Sequence, residues 1–165
     1  MEPGILTHPS LTLRIGIGKM VGLVIGLVGF AFLPFFAADA GWMLRSGVLL
    51  WYTTLGAIIG VFGVYSSHPV LHIPLPWWVR APFIGAWMNF VLTLFVYDQF
   101  STMIIDAFGS SHSALTSPFL FALEGAVAGM IIGFVTTRFA GEGPETIGHL
   151  ADEFSPPGES NQSHR

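Results

Sequence analysis

Cysteine is missing from this 165-residue chain, which excludes disulfides, thiolate metal sites and cysteine nucleophiles and leaves the compartment open. Charge is nearly missing too: 10 % of residues are Asp, Glu, Lys or Arg, against 52 % hydrophobic, and mean hydropathy is +0.67. A surface facing water needs more charge than that. The six basic residues form no cluster and the net charge is −4, so a nucleic-acid partner is not expected. Nor is there a nucleophile elbow, a paired-histidine zinc motif or a glycine-rich phosphate loop. With no motif that fixes a reaction, the reading leans away from an enzyme.

What is present is apolar length. Crossing about 30 Å of hydrocarbon takes roughly twenty residues at 1.5 Å per residue. Four stretches qualify: residues 15–36, 47–65, 81–100 and 118–139. The expected fold is therefore all-α, a polytopic membrane protein built as a four-helix transmembrane bundle over residues 15–140. A short N-terminus (1–14) precedes it and an acidic tail (141–165) follows. Pro82 is expected in the first turn of the third span, and Thr116-Ser117-Pro118 reads as a cap followed by proline at the first position of the fourth. The tail is rich in Gly, Pro, Ser and acidic residues and is expected to be disordered. Within it Ile147, Leu150, Ala151 and Phe154 recur at helical spacing, suggesting a short helix over 145–154.

Arg14, Lys19, Arg80, Arg138 and Arg165 fall on one predicted side and Arg45 alone on the other. Cytoplasmic loops hold the excess of such residues, so both ends are expected inside. Trp42 near one face, and Trp77 with Trp78 near the other, match aromatic belts. A bacterial inner membrane is the default, since no organelle presequence is visible. Arg14 and Lys19, the first apolar run and Ala38-Asp39-Ala40 also match a cleaved signal peptide. The length of the run and the spacing of its glycines favour a retained span.

The strongest pattern is glycine at every fourth position: Gly18, Gly22 and Gly26; Gly56 and Gly60; Gly125, Gly129 and Gly133. Lipid supplies no hydrophobic drive between helices, so association depends on close backbone packing, which small residues permit. Such stripes serve packing within one bundle, or give one face to self-association or another membrane subunit. A faint repeat accompanies them: residues 56–60 (GAIIG) resemble 125–129 (GAVAG), each ahead of a polar pair, Ser66-Ser67 or Thr136-Thr137. Parallel repeats of this kind occur in transporters, but membrane segments draw on so few residue types that chance resemblance is the commoner account.

Few polar residues lie inside the spans. Glu124 is placed about 9 to 10 Å from the outer end and Asn89 about 12 Å from the inner one, with Thr93 one turn further. These depths leave the two some 8 to 9 Å apart, too far for a direct hydrogen bond without water. A polar path through Asn89, Thr93 and Glu124 toward Asp98 is the pathway candidate, because intramembrane carboxylates often mark ion or solute routes. His68 and His72 are four apart but flanked by prolines, and His112 and His149 fall in a loop and the tail. No metal or cofactor is expected. The outer loop with Asp106 and Ser110, Ser111, His112 and Ser113 has hydrolase residue types without their arrangement. Packing surface outweighs intramembrane chemistry, so the expected role is an assembly or accessory subunit embedded in the bilayer. The alternative is a small transporter or channel using Glu124 and Asn89.

Overall fold

The computed structural model describes residues 10–38, 40–65, 75–108, 117–143 and 146. His68, His72, His112, His149, residues 110–113, Arg165 and, apart from residue 146, the tail helix expected over 145–154 lie outside them. The described elements are helices: α1 (Leu11–Phe36), α2 (Trp42–Phe62), α3 (Trp77–Phe95), α4 (Tyr97–Phe108) and α5 (Leu120–Ala140). Of these, α1, α2, α3 and α5 are long and apolar enough to cross a membrane. The chain is thus all-helical, with four candidate spans.

Helix boundaries shift from the sequence expectation for local reasons. Helix α1 starts early because the Ser10 hydroxyl accepts the Leu13 N–H at 3.5 Å. Helix α3 starts at Trp77, capped by extended Pro76, whose carbonyl accepts from the Val79 and Arg80 amides. Pro82 therefore lies inside the helix and not in its first turn. The third span also ends sooner: Val96 leaves helical geometry (φ −122°, ψ 28°) and residues 97–108 form α4 in place of the expected loop. Phe100 and Ile104 bury one face of α4 while Asp98, Thr102 and Asp106 are exposed on the other. Helix α4 is thus amphipathic, with one face packed on the bundle and the other exposed. Before α5, residues 117–119 form a turn, and the Leu120 amide donates to the Ser117 carbonyl, so the helix begins two residues after Pro118.

The bundle is two antiparallel pairs. Helices α1 and α2 cross at Gly18 and Gly56, where a Cβ on either would overlap the other's carbonyl oxygen. Gly22 lies against the Tyr52 carbonyl, Gly26 against Leu49, and Gly60 against the Arg14 backbone. Helices α3 and α5 cross in the same reciprocal manner at Gly85 and Gly125, with Gly129 against the Ala81 carbonyl and Gly133 against the Ala81 side chain. All eight glycines singled out from the sequence face helices of this same chain. Between the pairs Tyr52, Leu55, Ile59, Ala81, Ala128 and Ile132 form the buried core.

Arginines finish the helix ends. Arg14 is 1 % exposed, and its Nε donates to the Gly60 carbonyl at 3.3 Å. Arg80 donates to the carbonyls of Tyr65 and, at 2.8 Å, Leu75, and pairs with Glu142 at 2.6 Å. The Gly143 amide donates to the Gly63 carbonyl at 3.0 Å. Two guanidinium groups thus add side-chain donors to carbonyls at and just beyond the end of α2: Gly60, which also accepts the Gly63 amide at 3.3 Å, and Tyr65. The same contacts engage the first residues of the tail, Glu142 and Gly143.

At the opposite end, Arg45 donates to the Phe30 carbonyl at 2.9 Å and lies 4.2 Å over the Phe30 ring. Phe30 is four residues before Pro34, which sits inside α1. Proline has no N–H to give that carbonyl, and Arg45 replaces the missing donor.

Candidate functional site

Where the two pairs separate toward the α4 end, they leave a cleft of about 560 Å³. Val24, Val28 and Phe32 of α1 line it and are still 57 %, 54 % and 55 % exposed, so it opens on the flank of the bundle. Most of the wall is aliphatic or aromatic. Val96 and Phe100 reach it from the α3–α4 break, where the Phe100 and Phe121 rings stand 4.0 Å apart between centroids.

Its polar surface is one connected chain of side chains. Trp51 Nε1 donates to Asn89 Oδ1 at 2.9 Å. Asn89 Nδ2 donates to the Tyr52 hydroxyl at 3.0 Å and to the Phe121 carbonyl at 2.9 Å. The Tyr52 hydroxyl in turn donates to Glu124 Oε1 at 2.8 Å. Trp51 and Tyr52 come from α2, Asn89 from α3 and Glu124 from α5, so the chain bolts one pair to the other. Interhelical polar bonds of this type contribute about 0.6 kcal/mol each on average, up to roughly 1.7.

The donor count is closed. The two amide hydrogens of Asn89, the indole hydrogen of Trp51 and the hydroxyl hydrogen of Tyr52 are all spent inside the chain. Among the described residues, the Tyr52 hydroxyl is the group that donates to Glu124. Only one carboxylate oxygen is engaged, and Glu124 is otherwise exposed to the cleft. The free hydrogen-bonding capacity is therefore an acceptor, an oxygen of the one carboxylate that lines the cleft among the described residues.

The predicted pathway residues separate into two groups. Asn89 and Glu124 are joined through the Tyr52 hydroxyl, in the role that water was expected to fill. Their depths lie closer than expected because α3 starts four residues early, which moves Asn89 about 6 Å further along the bundle. Thr93 is fully buried, and its hydroxyl turns back to the Asn89 carbonyl at 2.8 Å. Asp98 stands exposed on α4, outside the chain of bonds. Toward the Arg14 end, the Gly85–Gly125 crossing closes the way from Asn89. Sequence reasoning missed Trp51 and Tyr52. Their adjacency at the centre of an apolar span is the available signal, because aromatic donors buried in a helix bundle require partners. Among the described residues no group of three His, Asp or Glu side chains is placed to hold a metal.

No protein-family model, curated protein or solved structure matches this chain.

Proposed function

We propose that this chain is an integral membrane protein whose work is to bind a lipid-soluble small molecule in the cleft, as the binding unit of a small transporter. It would sit in a bacterial inner membrane with the Arg14 end inside. Arg14, Lys19, Arg80 and Arg138 at that end against Arg45 at the other support the orientation. The observation that carries the binding role is the cleft itself. Its volume lies within the several hundred Å³ typical of ligand sites, and its apolar wall with a few convergent polar groups is the usual composition of such sites. Its flank opening lets a molecule enter from the bilayer. The two-pair architecture places it where halves of similar design meet, as in repeat-built transporters.

Native mass spectrometry of protein released in mild detergent tests this reading. Gly47 lines the cleft, and a Cβ there would meet nothing within 4 Å, so Gly47→Phe fills the space without disturbing the fold. The expected result is a small-molecule adduct on the wild type that Gly47→Phe lacks. A wild type that carries no adduct and takes up no apolar probe contradicts it.

A second role, the assembly or accessory subunit, is supported by a row of aromatic rings along α3. Phe83 stacks on Trp87 (6.5 Å between centroids), Trp87 meets Phe90, and Phe90 stacks on Phe119. Phe83 and Trp87 are 66 % and 56 % exposed, a rigid apolar face suited to another membrane helix. Trp87→Ala is expected to reduce the particle size seen in lipid nanodiscs if this face carries self-association. An unchanged size speaks against it.

A further inference from the structure

The cleft's chemistry points to the sign of its ligand, and we propose that the site takes a lipophilic cation. This rests on the binding role proposed above and narrows it to one class of molecule. Among the described residues no Lys, Arg or His lines the cleft, so an anionic headgroup finds no counter-charge there. The donors of Trp51, Tyr52 and Asn89 are already committed to one another and to Glu124. A carbonyl-headed ligand such as a quinone would have to break that chain to be recognised, exposing buried donors at a cost of about 1 to 3 kcal/mol each.

What the cleft does offer is complementary to positive charge. One carboxylate, Glu124, faces it with an oxygen outside the bond to Tyr52. Aromatic rings of Phe32, Trp51, Tyr52, Phe100 and Phe121 form much of the wall, and ring faces attract cations most strongly where water is excluded. The Tyr52 hydroxyl holds the carboxylate in place, so its orientation does not have to be bought from ligand binding. An ionised carboxylate in an apolar surrounding is costly when alone, and a bound cation offsets that cost. A bulky organic cation shares its apolar body with the walls and its charge with Glu124.

Tetraphenylphosphonium and tetraphenylborate test the sign directly, since they have nearly the same size and shape and opposite charge. Equilibrium binding is measured on the full chain in phosphatidylcholine nanodiscs, against nanodiscs without protein. Saturable binding of the phosphonium, with at least ten-fold preference over the borate, is expected. Glu124→Gln should lower phosphonium affinity at least ten-fold, while Asp98→Asn, which removes an exposed carboxylate on α4 outside the cleft, leaves it unchanged. Equal binding of both ions, abolished in Gly47→Phe, overturns the cation inference and keeps the binding role. No saturable binding of either ion overturns both. Equal losses in Glu124→Gln and Asp98→Asn also overturn the inference, because attraction would then reside in surface charge. Should Glu124→Gln fail to fold, Gly47→Phe decides: retained phosphonium binding there removes the cleft from consideration, and lost binding with a preserved fold upholds it.

Discussion

In the α1/α2 pair Gly18 crosses Gly56, Gly22 lies one turn along against the Tyr52 carbonyl, and Gly60 lies one turn back against Arg14. In the α3/α5 pair Gly85 crosses Gly125, Asn89 stands one turn along and bonds the Phe121 carbonyl, and Gly129 lies one turn back against Ala81. The register is the same over three turns, so the pairs can be compared position by position. Where the first pair has Gly22, the second has Asn89. Leu55, the residue before Gly56, is wholly buried in the core, whereas its counterpart before Gly125 is Glu124, facing the cleft. The first pair contributes apolar packing and the aromatic donors of α2; the second carries the amide and the carboxylate that turn the junction into a site. The differences at corresponding positions of the two pairs are what give the junction its one-sided chemistry.

The largest expected effect breaks both crossings alike. Gly18→Leu and Gly85→Leu each drive a side chain into a facing backbone carbonyl, and backbone cannot step aside. Each should lose on the order of 4 kcal/mol or fail to fold in lipid. Gly16→Leu, on a surface with nothing within 4 Å, is the control and should leave unfolding in detergent–lipid mixtures unchanged. A tolerated Gly85→Leu beside an intolerant Gly18→Leu would show that the pairs do not share a crossing.

Next in size is the clasp at the Arg14 end. Arg80→Ala strands Glu142, which is 22 % exposed, and uncaps two carbonyls. A loss of roughly 2 to 3 kcal/mol is expected in an equilibrium unfolding titration. Arg80→Ala with Glu142→Gln should recover part of it, since the stranded charge is then gone.

The polar bolt is expected to be weaker. Asn89→Ala removes three bonds at once and should cost about 1 to 2 kcal/mol. Placing a glycine there, as in the first pair, tests whether the halves are interchangeable: Asn89→Gly should fold and lose the link to Trp51.

The smallest effect concerns Arg45. In the wild type Arg45→Ala should cost about 1 kcal/mol by leaving the Phe30 carbonyl without a donor. In a Pro34→Ala background the restored backbone N–H supplies that donor, and the same substitution should cost less, the remainder being the lost contact with the Phe30 ring. A double-mutant cycle with no coupling between residues 34 and 45 contradicts this role.

The spans were readable from the sequence because apolar length is a property of composition, and the glycines because their spacing matches one helix face. Legibility stopped at the ends of the third span. Residues 97–100 continue the apolar run, and nothing local says that Val96 will break it and start α4. Glu124 and Asn89 were visible as polar residues in apolar surroundings. Tyr52 and Trp51 were not, because aromatic side chains blend into a hydrophobic span until a partner helix brings an acceptor to their polar tips. Arg45 stood out as the basic residue on the wrong side, and its reason, a proline four residues after Phe30 on another helix, emerges only in three dimensions.

The junction of the two pairs at Tyr52 is the claim on which the site depends. The chain contains three tyrosines, and the two asparagines at positions 89 and 161 are its only ones, so ring-labelled tyrosine and side-chain ¹⁵N-asparagine give nearly unique pairs for solid-state NMR in lipid bilayers. A dipolar coupling between the Asn89 amide nitrogen and the Tyr52 Cζ carbon, corresponding to about 4 Å, is expected from their hydrogen bond. Its presence in the wild type and its loss in Tyr52→Leu support two pairs bolted across the cleft. Absence of the coupling in folded wild-type protein contradicts the account.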